Sequence, residues 1–139
     1  MDYNAFDFDK KIVGNALDNK IVGGNNALNV STGDGNDAVD AGTGNDTLSG
    51  GKGNDTLNGG LGNDKLDGGD GNDRLDASDG DNVVSGGKGD DSIFTGDNND
   101  KIDGGDGNDA IVSGLGNDTI LFRVNYLVLV TTITLSDFS

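Results

Sequence analysis

The sequence predicts an all-β solenoid built from nine-residue repeats. The triplet Gly-Asn-Asp recurs with its Asp at spacings of nine or multiples of nine, from residue 37 to residue 118. Ten consecutive repeats run from residue 32 to residue 121 without an insertion or deletion, and their eighth position is aliphatic in all ten. A fixed short period of this kind is typical of chains whose repeats stack on one another to build a continuous core.

Each repeat predicts one tight turn followed by one short strand. In Thr56-Leu57-Asn58 one apolar side chain stands between two polar ones, the pattern of a short strand with one buried face. The Gly-rich segment before each strand can adopt positive φ angles at little steric cost, which favours a tight turn with inward carbonyl oxygens. Two repeats then complete one coil, so residue i lies beneath residue i+18. We expect about six coils, spaced by about 4.8 Å.

Composition narrows the function classes. The chain has 139 residues and a net charge of −16, all 25 acidic residues are Asp, and it contains no His or Cys. This charge disfavours nucleic acid and anionic membranes, which are bound through Lys and Arg. No segment reaches the roughly 18 apolar residues that span a bilayer. Because the chain has no His or Cys for acid–base or nucleophilic chemistry, we expect no catalysis. The metal ligands it can offer are oxygen atoms, which favour a hard ion such as calcium over zinc.

The acidic residues fall into two predicted columns, one on each edge of the solenoid. The odd edge stacks Asp37, Asp55, Asp73, Asp91 and Asp109, and the even edge stacks Asp46, Asp64, Asn82, Asp100 and Asp118. Stacked carboxylates repel one another, so we expect counterions between coils. The four intervals of the odd edge look intact. On the even edge the two intervals next to Asn82 are doubtful, and Asn98 in place of a Gly weakens the loop of Asp100.

The repeat resembles the RTX, or hemolysin-type, calcium-binding family, whose pattern is G-G-x-G-x-D-x-U-x. The resemblance is strong over residues 32–121 and reaches residue 5 in degenerate form. It implies a right-handed parallel β-roll. About six to eight calcium ions in total would lie between successive loops along the two edges. The implied side-chain ligands are Asp37, Asp46, Asp55, Asp64, Asp73, Asp91, Asp100, Asp109 and Asp118. The implied backbone carbonyl ligands are Gly33, Gly35, Gly42, Gly44, Gly51, Gly53, Gly60, Gly62, Gly69, Gly71, Gly87, Gly89, Gly105, Gly107, Gly114 and Gly116. We expect Asn36, Asn45, Asn54 and Asn63 to form turns and not to bind the ion, because Asn tolerates left-handed backbone angles.

The two ends differ from the repeats. Residues 1–31 keep the aliphatic column as Ile12, Ile21 and Val30 but lack the Asp, which predicts an N-terminal cap. Residues 122–139 are rich in β-branched residues and predict one or two longer strands, a C-terminal β cap. We expect this segment to lie over an apolar strip formed by Phe94 and Val112 and to cover the open end of the roll. A partner domain at this strip is the alternative.

The function predicted from these features is a non-catalytic module that calcium folds and stabilises in the extracellular medium. The resemblance implies a part of a larger bacterial protein exported by type I secretion, with a catalytic or adhesive domain elsewhere in the parent chain. The alternative is a surface-recognition module, either adhesin-like or similar to the polysaccharide-binding repeats of alginate epimerases. Lys52, Arg74 and Lys88 on the odd edge would then contact an acidic polysaccharide. Ice binding is disfavoured because the outer third position contains a single Thr, Thr43.

Overall fold

The computed structural model describes residues 2–4, 10–124 and 127–135 of the chain. Fifteen β-strands form two sheets, and no helix occurs in these ranges that could cross a membrane. The strands of the seven-stranded sheet are β1 (Asp2–Asn4), β3 (Lys20–Gly24), β5 (Ala38–Gly42), β7 (Thr56–Asn58), β9 (Arg74–Asp76), β11 (Ser92–Phe94) and β13 (Ala110–Val112). The strands of the eight-stranded sheet are β2 (Lys10–Val13), β4 (Leu28–Asp34), β6 (Thr47–Lys52), β8 (Lys65–Asp70), β10 (Val83–Lys88), β12 (Lys101–Asp106), β14 (Gly116–Val124) and β15 (Leu127–Leu135).

Successive strands of each sheet are one coil apart and pair in parallel. Val39 pairs with Leu57 and Leu57 with Leu75, so each partner lies 18 residues further along the chain. The chain passes from one sheet to the other after every repeat and returns after two, which builds a β-solenoid of about six coils. The predicted all-β parallel roll with an 18-residue coil is therefore confirmed.

The aliphatic column fills the space between the two sheets. Side chains of the eighth position are almost fully buried, as Leu48 (1% exposed), Leu57 (0%) and Leu75 (0%) illustrate. Ile12, Ile21 and Val30 of the degenerate repeats belong to the same core. Ile111 is only partly buried, because β13 is the last strand of its sheet and no further coil covers that end.

The tight turns depend on glycines at the second and fourth positions of the repeat. Gly51 (φ 114°) and Gly53 (φ 126°) lie in the left-handed region, and a Cβ atom at Gly51 would collide with the carbonyl oxygen of Gly33 in the preceding coil. Two residues that replace Gly on the even edge keep this conformation, Ser78 (φ 59°) and Asn98 (φ 96°). Because side chains disfavour positive φ, these two loops carry backbone strain that the other turns avoid.

The C-terminal segment, predicted to form one or two longer strands, contributes the end of β14 and all of β15, but β15 lies in a different place than expected. β15 pairs antiparallel with β14, with Ile120 opposite Thr131, and so covers the edge of the eight-stranded sheet. Phe94 and Val112 belong to the seven-stranded sheet, and Val112 stays 55% exposed. The expectation that the segment lies over this strip was wrong. An antiparallel hairpin pairs the free backbone groups of β14 immediately, whereas reaching the other sheet would require crossing the end of the roll.

Candidate metal centre

The structure places the Asp columns inside the two edges of the roll. Eight of the nine predicted side chains are at most 3% exposed: Asp37, Asp46, Asp55, Asp64, Asp73, Asp91, Asp100 and Asp118. Asp109 is half-buried, because it lies on the last odd loop. The turns therefore point these carboxyl groups away from water, although charged residues are seldom buried without a partner.

One oxygen of each carboxyl group is fixed by the coil before it. The backbone N–H of Asp37 donates to Asp55 Oδ1 at 2.8 Å, and that of Asp55 donates to Asp73 Oδ1 at 2.8 Å. On the even edge Asp46 N–H donates to Asp64 Oδ1 at 2.8 Å. Because the donor and the acceptor are 18 residues apart, this ladder ties each loop to its neighbour and sets the orientation of every carboxyl group.

The second oxygen of the same groups is buried and has no hydrogen-bond partner. This holds for Oδ2 of Asp37, Asp46, Asp55, Asp64, Asp73, Asp91, Asp100 and Asp118. A buried polar atom without a partner is costly, and a buried anion is more so. The same carboxylate oxygen is left without a partner in eight loops. This repetition indicates that each of these loops binds a cation.

Backbone carbonyl oxygens face the same space as these orphaned atoms. A Cβ atom at Gly50 would collide with Asp55 Oδ2 and would lie 2.7 Å from the carbonyl oxygen of Gly68 in the next coil. A Cβ atom at Gly68 would likewise collide with Asp73 Oδ2 and would lie 2.6 Å from the carbonyl oxygen of Gly86. Two acceptors thus converge beside the first position of the repeat, which is Gly in these two repeats. Carboxylate and carbonyl oxygens are the ligands of Ca²⁺, so the residues fit this ion.

Gly68 and Gly86 stand at the first position of the repeat and were not among the predicted backbone ligands. The predicted set took the second and fourth positions, which stay a prediction for ligation. The signal in the sequence was the Gly that opens five of the ten repeats. Its φ angle is not left-handed, so the turn does not require Gly there, and the other five repeats carry Thr, Ala or Ser at this position.

The Asn residues of the fifth position form a second ladder on the outside of the turns. The N–H of Asn54 donates to Asn36 Oδ1 at 2.8 Å, and that of Asn72 donates to Asn54 Oδ1 at 2.8 Å. Their φ angles are not positive, so the expected left-handed turn is wrong as a mechanism. These exposed amides join neighbouring coils on the outer side of the turn, away from the buried carboxylates.

Burial makes the carboxyl groups resist ionisation. Removal from water raises the pKa of Asp46, Asp55, Asp91 and Asp100, and it raises the pKa of Asp64 and Asp73 to about 6. The N–H bond from the preceding coil opposes this shift, and the charge of the preceding Asp adds to it for Asp64 and Asp73. A cation at Oδ2 would remove the cause of the shift, because it stabilises the ionised form.

Each of these positions offers one carboxylate and not a cluster of them. Among the residues that the structure describes, no group of three or more His, Cys, Asp or Glu side chains could hold a metal. An ion would therefore depend on backbone carbonyls and on two successive coils for most of its ligands. Such a site exists only when the coils are stacked.

The three cations predicted to contact polysaccharide are engaged with neighbours on the roll. Lys52 Nζ lies 3.7 Å from Asp34 Oδ1, and Lys88 Nζ lies 2.9 Å from Asp70 Oδ1. The guanidinium of Arg74 lies 5.0 Å from the centre of the Phe94 ring, within cation–π distance. These contacts alternate charge along the odd edge and provide no concentrated basic surface.

Comparison with known families identifies the repeat. A family model described as RTX calcium-binding nonapeptide repeat (4 copies) matches residues 31–66, 67–102 and 85–120. Together these matches run without a gap from residue 31 to residue 120, well over half of the 139 residues. No curated protein matches the chain.

Proposed function

The chain belongs to the RTX calcium-binding nonapeptide repeat family, and on that basis we propose that it is a non-catalytic module whose folding is driven by calcium outside the cell. The observation that supports this function best is the set of eight buried Oδ2 atoms without a partner. Without cations, stacking the coils buries these anions at a cost. With cations, the same stacking creates their binding sites.

Binding and folding are coupled because each site is shared by two coils. Asp55 belongs to one coil, and the carbonyl of Gly68 that faces its Oδ2 belongs to the next. An ion held by both oxygens favours the stacked arrangement and orders the loop that carries the following carboxylate. The free energy of binding then becomes free energy of folding, and repeats linked in this way fold cooperatively.

The net charge explains where the module would fold. A chain with a net charge of −16 repels itself and stays expanded when calcium is scarce, as in cytosol. Extracellular calcium-binding modules typically have dissociation constants of about 10⁻⁴–10⁻³ M, matched to the calcium outside cells. An unfolded chain inside and a folded roll outside suit type I secretion from a bacterium, and we propose this route for a larger parent protein.

The carboxylates have a structural role in this proposal and no catalytic one. Asp pairs 18 residues apart hold backbone N–H groups through Oδ1, and the sequence contains no His or Cys to serve as a base or nucleophile. A catalytic or adhesive domain in the parent chain would supply the activity. The number of ions that we propose is about six to eight, one for each of the four intervals on the odd edge and the four on the even edge, less up to two beside Asn82.

Direct measurement of bound calcium tests this function. The chain is stripped with a chelator, dialysed, and titrated with Ca²⁺ in a calorimeter, with Mg²⁺ as the control. We expect several Ca²⁺ ions per chain and much weaker binding of Mg²⁺, which demands a smaller and more regular octahedral shell. Absence of Ca²⁺ binding at millimolar concentration would refute the proposal.

A further inference from the structure

We infer that the side-chain amide of Asn82 takes the place of a calcium ion at one joint of the even edge. The joint lies between the coil that contains Asn82 and the coil that begins at Thr95. This inference rests on the proposed function and concerns how one of its sites is closed. It predicts a joint in the middle of the roll that holds without metal.

Asn82 occupies the frame of the Asp column and keeps its fixed oxygen. The side chain is 1% exposed, and its Oδ1 accepts the backbone N–H of Asp64 at 2.8 Å, as Asp73 Oδ1 accepts that of Asp55. Because a backbone N–H can only donate, this bond identifies the oxygen of the amide. The nitrogen therefore lies where the other columns carry the orphaned Oδ2.

The amide nitrogen binds the oxygens that an ion would otherwise hold. Asn82 Nδ2 donates to the carbonyl oxygen of Ser78 at 3.1 Å and to that of Thr95 at 3.3 Å. Thr95 stands 13 residues after Asn82, just as Gly68 stands 13 residues after Asp55. The carbonyl that faces a bare carboxylate oxygen at Asp55 thus faces an N–H donor at Asn82.

Exchanging a carboxylate for an amide reverses the electrostatics at this point. Beside the two carbonyl oxygens, an Asp side chain adds a third hydrogen-bond acceptor, and the three oxygens together need a cation. An Asn side chain has nearly the same shape and provides two N–H donors instead. Accordingly no atom of Asn82 is among the buried atoms without a partner, whereas Oδ2 of Asp64 and Asp100, its neighbours on the even edge, are. Asn82 therefore closes one interval of the edge, toward Asp100, and the interval toward Asp64 keeps its carboxylate.

Asn19 is a second buried amide in the frame of the Asp columns, near the N-terminal end of the roll. Asn19 stands at the sixth position of a degenerate repeat, is 3% exposed, and donates from Nδ2 to Asn15 Oδ1 at 3.0 Å and to the carbonyl oxygen of Leu17. Its partners come from its own loop, which suits a terminal coil. Asn82 instead reaches the next coil, so it fastens two coils as an ion would.

The experiment compares Asn82→Asp with Asn63→Asp as a matched control. Both variants add one negative charge on the even edge, but Asn63 is exposed and its oxygen continues to accept the N–H of Asp81 after the change. Calcium per chain is measured by calorimetry, and the calcium midpoint of folding by far-UV circular dichroism. We expect Asn82→Asp to bind one ion more than the wild type and to need a higher calcium concentration for folding, with neither change in the control.

The reverse change keeps the test decisive if Asn82→Asp does not fold. Asp64→Asn introduces a second amide at the adjacent joint of the even edge. This variant should bind one Ca²⁺ ion fewer than the wild type, and its folding should need a lower calcium concentration. Wild-type chain that binds no Ca²⁺ would overturn the proposed function and this inference together. Wild-type chain that binds Ca²⁺, with the same stoichiometry in all three variants, would overturn only the role of Asn82.

Discussion

Asp73 accepts the backbone N–H of Asp55 at 2.8 Å through Oδ1, while its Oδ2 lies buried without any partner. The two oxygens of one carboxyl group thus have opposite roles. The first holds the preceding coil in register through a hydrogen bond. The second is satisfied only by a cation, so it makes the stacked state depend on the solution outside the protein.

Replacing Asp73 by Ala should raise the calcium concentration needed for folding. The change removes the carboxylate oxygen beside Gly68 and also leaves the N–H of Asp55 without its acceptor, a loss of about 1–3 kcal/mol for a buried donor. The calcium midpoint of folding is read by circular dichroism. Asp67→Ala, an exposed Asp on a strand, is the control for charge alone and should leave the midpoint nearly unchanged. Equal midpoints for the two variants would contradict a ligand role for Asp73.

Replacing Leu66 by Ala should lower the stability of the calcium-loaded roll by about 2–5 kcal/mol, because the side chain is 1% exposed and its loss leaves a cavity. The free energy of unfolding is measured by urea denaturation in saturating calcium. Leu61→Ala is the matched control, since Leu61 is 55% exposed and its truncation should change stability by no more than about 0.5 kcal/mol. Similar losses in both variants would mean that the aliphatic column is not the packed core.

Replacing Gly68 by Ala should weaken calcium binding without straining the turn. The φ angle of Gly68 is not left-handed, but a Cβ atom there would enter the space between Asp73 Oδ2 and the carbonyl oxygen of Gly86. We expect one binding site fewer, or one of clearly lower affinity, in a calorimetric titration. An unchanged isotherm would show that the space beside Gly68 is not where the ion is held.

Acid should replace part of the calcium requirement. The pKa of Asp64 and Asp73 is about 6 in the folded roll against 3.8 for an ordinary Asp, so the metal-free fold takes up protons between these values. In chelator, the stability that protonation contributes is fully present below about pH 3.8 and is lost as the pH rises through about 6. Strand content in chelator should therefore increase from pH 7 to pH 4.5, and the calcium midpoint of folding should fall over the same range because protonated carboxyl groups stabilise the stacked coils without the ion. A pH-independent midpoint would contradict the assignment.

The repeat and its consequences could be predicted from the sequence because each depends on one-dimensional spacing. The distance of 18 residues between Leu48 and Leu66 determines the coil, the core column and both Asp columns at once. The position of β15 could not be predicted in this way. Its residues have no counterpart 18 positions earlier, and its pairing with β14 depends on which sheet edge is nearer.

The positions of the calcium ligands could not be predicted from the repeat pattern either. Glycines at the first, second and fourth positions look alike in the sequence, yet Gly51 is required by its φ angle, whereas Gly50 leaves open the space beside Asp55 Oδ2. The chemical role of Asn82 was hidden for a related reason. A substitution of Asp by Asn predicts a lost ligand, whereas the replacement donor becomes visible only when the carbonyls of Ser78 and Thr95 are placed around it.

Calcium-driven stacking of the coils can be followed by far-UV circular dichroism of the chelator-treated chain during a calcium titration at neutral pH, with magnesium as the control. We predict little strand signal in chelator and a cooperative rise as calcium is added, with magnesium producing no comparable change, because folding and the shared sites form together. Full strand signal in chelator, unchanged by calcium, would show that calcium does not drive the stacking of the coils.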